Sequence, residues 1–194
     1  IGGKLWLELK ETHLSNRQQN STSNSLRRLF MFYYQDATGN HSFATITLKE
    51  GYCKHEDLRM VAMKLKEDFQ DKMEWIRKHY KIELLISNIH FDVTEKGCRP
   101  HIHFIIKKHK YLSTEEFSNI ATILNKIGIF ELGEEVRNAT AAHRYMFKIQ
   151  DYSHLSPQVL AELYHQLKGL HSYSLGGAMA DISRECKALD TSIR

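Results

Sequence analysis

Two apolar runs joined by a short turn restrict the folds open to this chain more than any other feature. Residues 81–92, KIELLISNIHFD, and 99–107, RPHIHFIIK, are rich in β-branched and aromatic side chains. Thr94-Glu95-Lys96-Gly97 lies between them. A connection this short suits antiparallel neighbours, because a parallel pair needs a long crossover. An antiparallel hairpin is therefore expected.

The other periodic segments build around it. In residues 42–49, Phe43, Thr45 and Thr47 alternate with Ala44, Ile46 and Leu48, the period of a strand. Residues 29–34, LFMFYY, read as a strand too. Leu58, Val61, Leu65, Phe69 and Ile76 recur at helical spacing and predict a helix over 55–79. Ser113-Thr114-Glu115-Glu116 is a capping box, and Phe117, Ile120, Leu124 and Ile127 continue as an amphipathic helix that Gly128 ends. Residues 129–132 suit a short strand and 138–150 a helix. Ser156-Pro157 opens another helix, with Leu160, Leu163, Tyr164 and Leu167 on it. Gly169 and Gly176-Gly177 break the tail. The expected class is α+β: an antiparallel sheet flanked by helices, with extra helices toward the C-terminus.

Residues 15–25, SNRQQNSTSNS, contain no large apolar side chain and read as a polar linker. Residues 1–25 are thus expected to form an extension, and 26–194 one domain. A chain of 194 residues with 42% hydrophobic content suits a single core. The net charge of +4 permits a nucleic-acid partner without requiring one. The three cysteines, Cys53, Cys98 and Cys186, are far apart and odd in number, which argues against a disulfide framework and a Cys-rich zinc knuckle. With no long apolar run and no leader-like segment, a reducing, cytoplasmic setting without a membrane is expected.

Pro100-His101-Ile102-His103 carries the chemistry. Residues i and i+2 of a strand share a face, so His101 and His103 point together, their backbones roughly 6–7 Å apart, and can converge on one metal ion. On the preceding strand His90 and Asp92 share a face in the same way. Asp92 is the chosen third ligand. His90 and Glu95 compete with it, because sequence does not set the register.

Tyr145 and Lys148 stand at i and i+3 of the expected helix and share a face. A phenol with its ordinary pKa of about 10 is a poor nucleophile at neutral pH. A cation that stabilises the phenolate, such as Lys148, or a metal ion that polarises the attacked phosphate makes it competent. Tyr152 is a second candidate nucleophile. Arg137 and Arg144 add positive charge near Tyr145, and Lys107, Lys108 and Lys110 follow the histidine strand, where they would suit a DNA backbone. Tyr33, Tyr34, Phe43 and Phe104 could stack bases, in competition with core packing.

The order of these parts over residues 82–150 resembles the HUH endonucleases. It runs from an acidic strand end through a Gly-containing turn and Pro-His-hydrophobic-His to a helical Tyr with Lys three residues on. The likeness is to the replication initiators (Rep) of rolling-circle plasmids and single-stranded DNA viruses, and Val136-Arg137-Asn138 adds to it. The resemblance implies a five-stranded antiparallel sheet related to RNA-recognition folds. It implies that His101, His103 and Asp92 bind Mg²⁺ or Mn²⁺. It further implies that Tyr145, assisted by Lys148, attacks the scissile phosphate to leave a 5′-phosphotyrosine and a free 3′-OH. The partner would be single-stranded DNA or a DNA hairpin at a replication origin, in the host cell of a plasmid, phage or mobile element. Transposases and relaxases use the same chemistry and are an alternative. A non-catalytic nucleic-acid-binding module of RNA-recognition-like fold is another, and a zinc-stabilised structural domain a third. No G-x-x-x-x-G-K-[ST] motif occurs, so a helicase module is not expected within these residues.

Overall fold

A computed structural model of the chain describes residues 40–109, 111–136, 138–147, 152–170, 173–176, 180–181 and 184. In chain order these form β1 (His41–Thr47), α1 (Leu58–Tyr80), β2 (Ile82–Thr94), β3 (Gly97–Lys108), α2 (Thr114–Leu124), β4 (Ile129–Glu135), α3 (Ala139–Met146), α4 (Pro157–Leu167) and β5 (Tyr173–Leu175). A 3₁₀ turn, His55–Asp57, precedes α1. The strands make one five-stranded antiparallel sheet in the order β4-β1-β3-β2-β5, so the class is α+β as expected. The strand expected at residues 29–34 lies outside the described residues.

The predicted hairpin is the middle of this sheet. Thr94 pairs with Gly97, leaving Glu95-Lys96 as a two-residue loop. Gly97 does not need a left-handed backbone. It needs room: a Cβ there would come 2.5 Å from the carbonyl oxygen of Cys53. Cys53 and Cys98 pair across this point through two backbone hydrogen bonds of 2.7 and 2.8 Å, and both thiols are free. Burial, with Cys53 beside it, pushes the Cys98 thiol up to about 12, which makes it a poor nucleophile.

The two faces of the sheet are used differently. On one face Ala44, Ile46, Ile89, Phe91, Ile102, Phe104 and Ile106 meet Leu58, Leu65, Phe69 and Ile76 of α1, Ile120 and Leu124 of α2, and Leu160 and Leu163 of α4. This is the main core. On the other face a smaller cluster forms from Leu85, Ile86, Ile105 and Met146, flanked by Phe43, Ala142, Phe147, Tyr173 and Leu175. A bulge at Leu85 divides the faces along β2: Leu84 pairs with Ile106 and Ile86 with Ile105, although side chains 105 and 106 point oppositely. Beyond the bulge, residues 86, 88, 90 and 92 therefore all lie on the smaller face.

The helices hold where local chemistry said they would. Ser113 and Glu116 form the reciprocal capping box. Ser156 caps α4, with Pro157 at its first position. Strand β5 was not expected. It pairs with β2 at Ile86, Ser87 and Asn88.

Phe69 sets α1 against the sheet, its ring 4.9 Å from that of Phe104 at 60°, and both are fully buried. Phe104 follows His103 directly, so this contact supports the strand that carries the histidines. Phe69→Ala is expected to cost about 3–5 kcal/mol of stability, measured by urea unfolding.

Candidate metal centre

The antiparallel register decides which side chains meet. His101 pairs with His90 of β2 and Thr47 of β1, and His103 pairs with Asn88 of β2 and Thr45 of β1. The smaller face of the sheet thus carries a patch of polar groups beside its apolar cluster. Ring centroids lie 5.6 Å apart for His90 and His101, 4.9 Å for His90 and His103, and 4.7 Å for His101 and His103. One potential ligand atom from each of the three lies within 4.8 Å of the others, so His90, His101 and His103 could hold a metal ion. Nitrogens sharing one cation at ~2.1 Å sit roughly 3–3.5 Å apart, a small ring movement from this arrangement.

Backbone and hydroxyl partners orient the rings. Thr45 Oγ1 is 2.9 Å from His103 Nδ1. His90 Nε2 donates to the carbonyl oxygen of Met146, 2.7 Å away, and Asn88 Nδ2 donates to the same oxygen at 2.6 Å. An imidazole that donates through one nitrogen keeps its lone pair on the other, the arrangement that metal-binding histidines use.

All three histidines are buried. Burial, and then the neighbouring His101 and His90, lower the pKa of His103 to about 3. Burial also lowers that of His101, against the pull of Asp92. The imidazoles of His101 and His103 are therefore neutral at physiological pH, with lone pairs available, as metal binding requires.

The other sequence candidates fall in different places. Asp92 shares the face of His90, but it is half exposed and outside the group of three. Its Oδ2 lies 3.6 Å from His101 Nδ1, beyond hydrogen-bond distance, so it stands at the rim of the cluster. Glu95 accepts from the backbone N–H of Ser156 at 2.6 Å and from its hydroxyl at 2.9 Å, so it is engaged at the start of α4. Tyr145, on α3, is 55% exposed, with its ring 4.8 Å from that of His103 and edge-on to Phe43 at 5.2 Å. Tyr152 instead packs against the main core and donates to the carbonyl oxygen of Phe91 at 3.3 Å. Burial raises its pKa.

Arg144 is exposed next to Tyr145. Lys107 shares the histidine face, roughly 13 Å along β3 from His103 by strand rise, and Lys108 turns to the other face. Lys110, Arg137 and Lys148 lie outside the described residues, as do Tyr33 and Tyr34. Phe104 is fully buried and cannot stack a base; Phe43 stands beside Tyr145. Sequence reasoning missed Asn88, Thr45 and the Met146 carbonyl. Alternation along β2 alone could have found Asn88, two residues before His90. The other two require the tertiary pairing.

No protein-family model, curated protein or solved structure matches the chain.

Acid should therefore act on this centre first. An unfolded imidazole binds its proton near pH 6.5, whereas folded His103 does so only near 3. Between those values the unfolded state holds more protons, so stability rises with pH. The EDTA-treated protein is expected to lose melting temperature as pH falls from about 6.5 toward 3, and His103→Gln to flatten that slope. An equal slope in the variant would show that His103 is not responsible.

Proposed function

We propose that this chain nicks and rejoins single-stranded DNA as a metal-dependent endonuclease of the HUH type, acting as an initiator of rolling-circle replication. The observation that carries this reading is an exposed tyrosine ring, Tyr145, packed 4.8 Å from His103 of a buried three-histidine cluster. A structural zinc site would instead close itself with four Cys or His ligands, of which three histidines meet here among the described residues, and needs no exposed phenol beside it. The expected order of elements, histidine strand and then tyrosine helix, supports the same reading.

The donor set favours the cation. His90, His101 and His103 would hold it, and imidazole nitrogens suit Mn²⁺ better than Mg²⁺, which prefers oxygen. Asn88 Oδ1 and His101 Nδ1 are buried without a hydrogen-bond partner within the protein, as befits groups that serve a ligand. When bound, the cation supplies Lewis-acid polarisation of a phosphate oxygen.

The protein's own groups account for the rest. Tyr145 Oη forms a bond to phosphorus as the bond from phosphorus to O3′ breaks. The phenol proton leaves, and the released O3′ takes up a proton. The product is a 5′-phosphotyrosine with a free 3′-OH, and attack by that hydroxyl reverses the step, so nicking and joining go together. Arg144, exposed beside Tyr145, would meet the DNA backbone. Lys148 is the proposed partner of the phenolate. The DNA that is recognised, rather than this chemistry, separates an initiator from a transposase or relaxase.

Two measurements test the reading. Incubated with Mn²⁺ and 3′-labelled randomised single-stranded DNA, the protein should form a covalent adduct on a denaturing gel. Tyr145→Phe should abolish that adduct, and Tyr152→Phe should leave it. An adduct that survives Tyr145→Phe would falsify the assignment of the nucleophile. In calorimetry, the double change His101→Ala, His103→Ala should remove Mn²⁺ binding, and unchanged affinity would overturn the metal centre.

A further inference from the structure

We propose that Asn88 is a fourth protein donor to the metal centre through Oδ1, while its amide nitrogen fixes the helix that carries Tyr145. This rests on the metal-and-tyrosine reading above and extends it to a residue with two separable roles.

The position comes from the register. Asn88 lies directly across from His103 and two residues before His90, on the same face as both. Directly opposed side chains have Cβ atoms roughly 4.5–5.5 Å apart, so the amide belongs to the first ring of groups around the cluster. On its other side Asn88 pairs with Tyr173 of β5, which closes the edge. Asn88 is only 6% exposed.

The hydrogen bonds settle which way the amide points. Its partner at 2.6 Å is the carbonyl oxygen of Met146, which can only accept, so the atom facing it is the NH₂. That leaves Oδ1 as the free end, and it is buried with no partner within the protein. Nδ2 also lies 3.1 Å from His90 Nε2. Flipping the amide would set two oxygens against each other at Met146, only 2.6 Å apart. Among the described residues the buried side-chain polar atoms without a partner are Asn88 Oδ1, Arg99 Nε and His101 Nδ1. Arg99 Nε is an N–H donor and has no lone pair for a cation, whereas Asn88 Oδ1 and His101 Nδ1 can each offer one. Buried polar atoms are nearly always satisfied, and two such unsatisfied atoms, one in the three-imidazole cluster and one on the residue paired with His103, point to a ligand there. An amide oxygen is a suitable donor to a divalent cation.

Met146 follows Tyr145 in the chain. The bond from Asn88 Nδ2 therefore ties the end of α3 to the strand that carries His90. One amide would hold the cation with its oxygen and the tyrosine helix with its nitrogen.

Two substitutions separate these roles. Asn88→Leu keeps the size and removes both ends. Asn88→Asp keeps an oxygen donor and loses the N–H bond to Met146. With Mn²⁺ alone in calorimetry, Asn88→Leu should weaken binding about 10–100-fold, whereas Asn88→Asp should bind at least as tightly as the wild type. Both should lower the rate of adduct formation by Tyr145, and thermal melts establish that each is folded. If Asn88→Leu does not fold, Asn88→Ser takes its place, with the same loss of affinity expected. Wild-type affinity in the folded Leu or Ser variant, or equal weakening in Asn88→Asp, would overturn the proposal. Failure of the underlying reading looks different: the wild type itself then binds no Mn²⁺, or forms no adduct through Tyr145.

Discussion

The pairing of His90 with His101 across the β2–β3 hairpin is the constraint on which the rest depends. Side chains alternate between faces along each strand. A slip of one residue would send Asn88, His90 and Asp92 into the main core and bring Ile89 and Phe91 to the polar face. The two-residue loop at Glu95-Lys96 sets this register at one end, and the bulge at Leu85 sets it at the other. The apolar face enforces it, because Ile89, Phe91, Ile102 and Phe104 all have to be buried together.

That arrangement explains how a sheet can bury three histidines. The main core holds α1, α2 and α4 and supplies most of the hydrophobic burial. The smaller face has less apolar area, and there the polar groups meet backbone and hydroxyl partners instead. The Met146 carbonyl, at the end of α3, serves both Asn88 and His90. The position of Tyr145 and the orientation of His90 are thus coupled through one oxygen atom. The low pKa of His103 follows from the same burial, and it keeps the ring in the form that donates a lone pair.

The resemblance to HUH endonucleases implied an acidic third ligand at Asp92. The structure brings His90 into the group with His101 and His103, and places Asp92 at its rim, 3.6 Å from His101. The difference matters chemically. Three imidazoles make a softer donor set than two with a carboxylate, and Asp92 stands beside them, half exposed.

Much of this was legible in the residues. The hairpin, the i and i+2 histidines, the capping box at Ser113 and the long helix ending at Tyr80 follow from periodicity and local hydrogen bonding, which act within a few residues of one another. Strand β5 was not legible, because Tyr173–Leu175 is short, lies between glycines and is held only by its pairing with β2. Asp92 was the expected third ligand, with His90 and Glu95 as rivals, until the register and the start of α4 separated them. Likewise Tyr145 and Tyr152 differ little in sequence, yet one stands beside the histidines and the other packs on the opposite core. The sequence by itself determined which side chains share a strand face, since that depends only on backbone alternation. Only the tertiary structure decided which faces meet, because that depends on how the apolar side chains of distant segments are buried together.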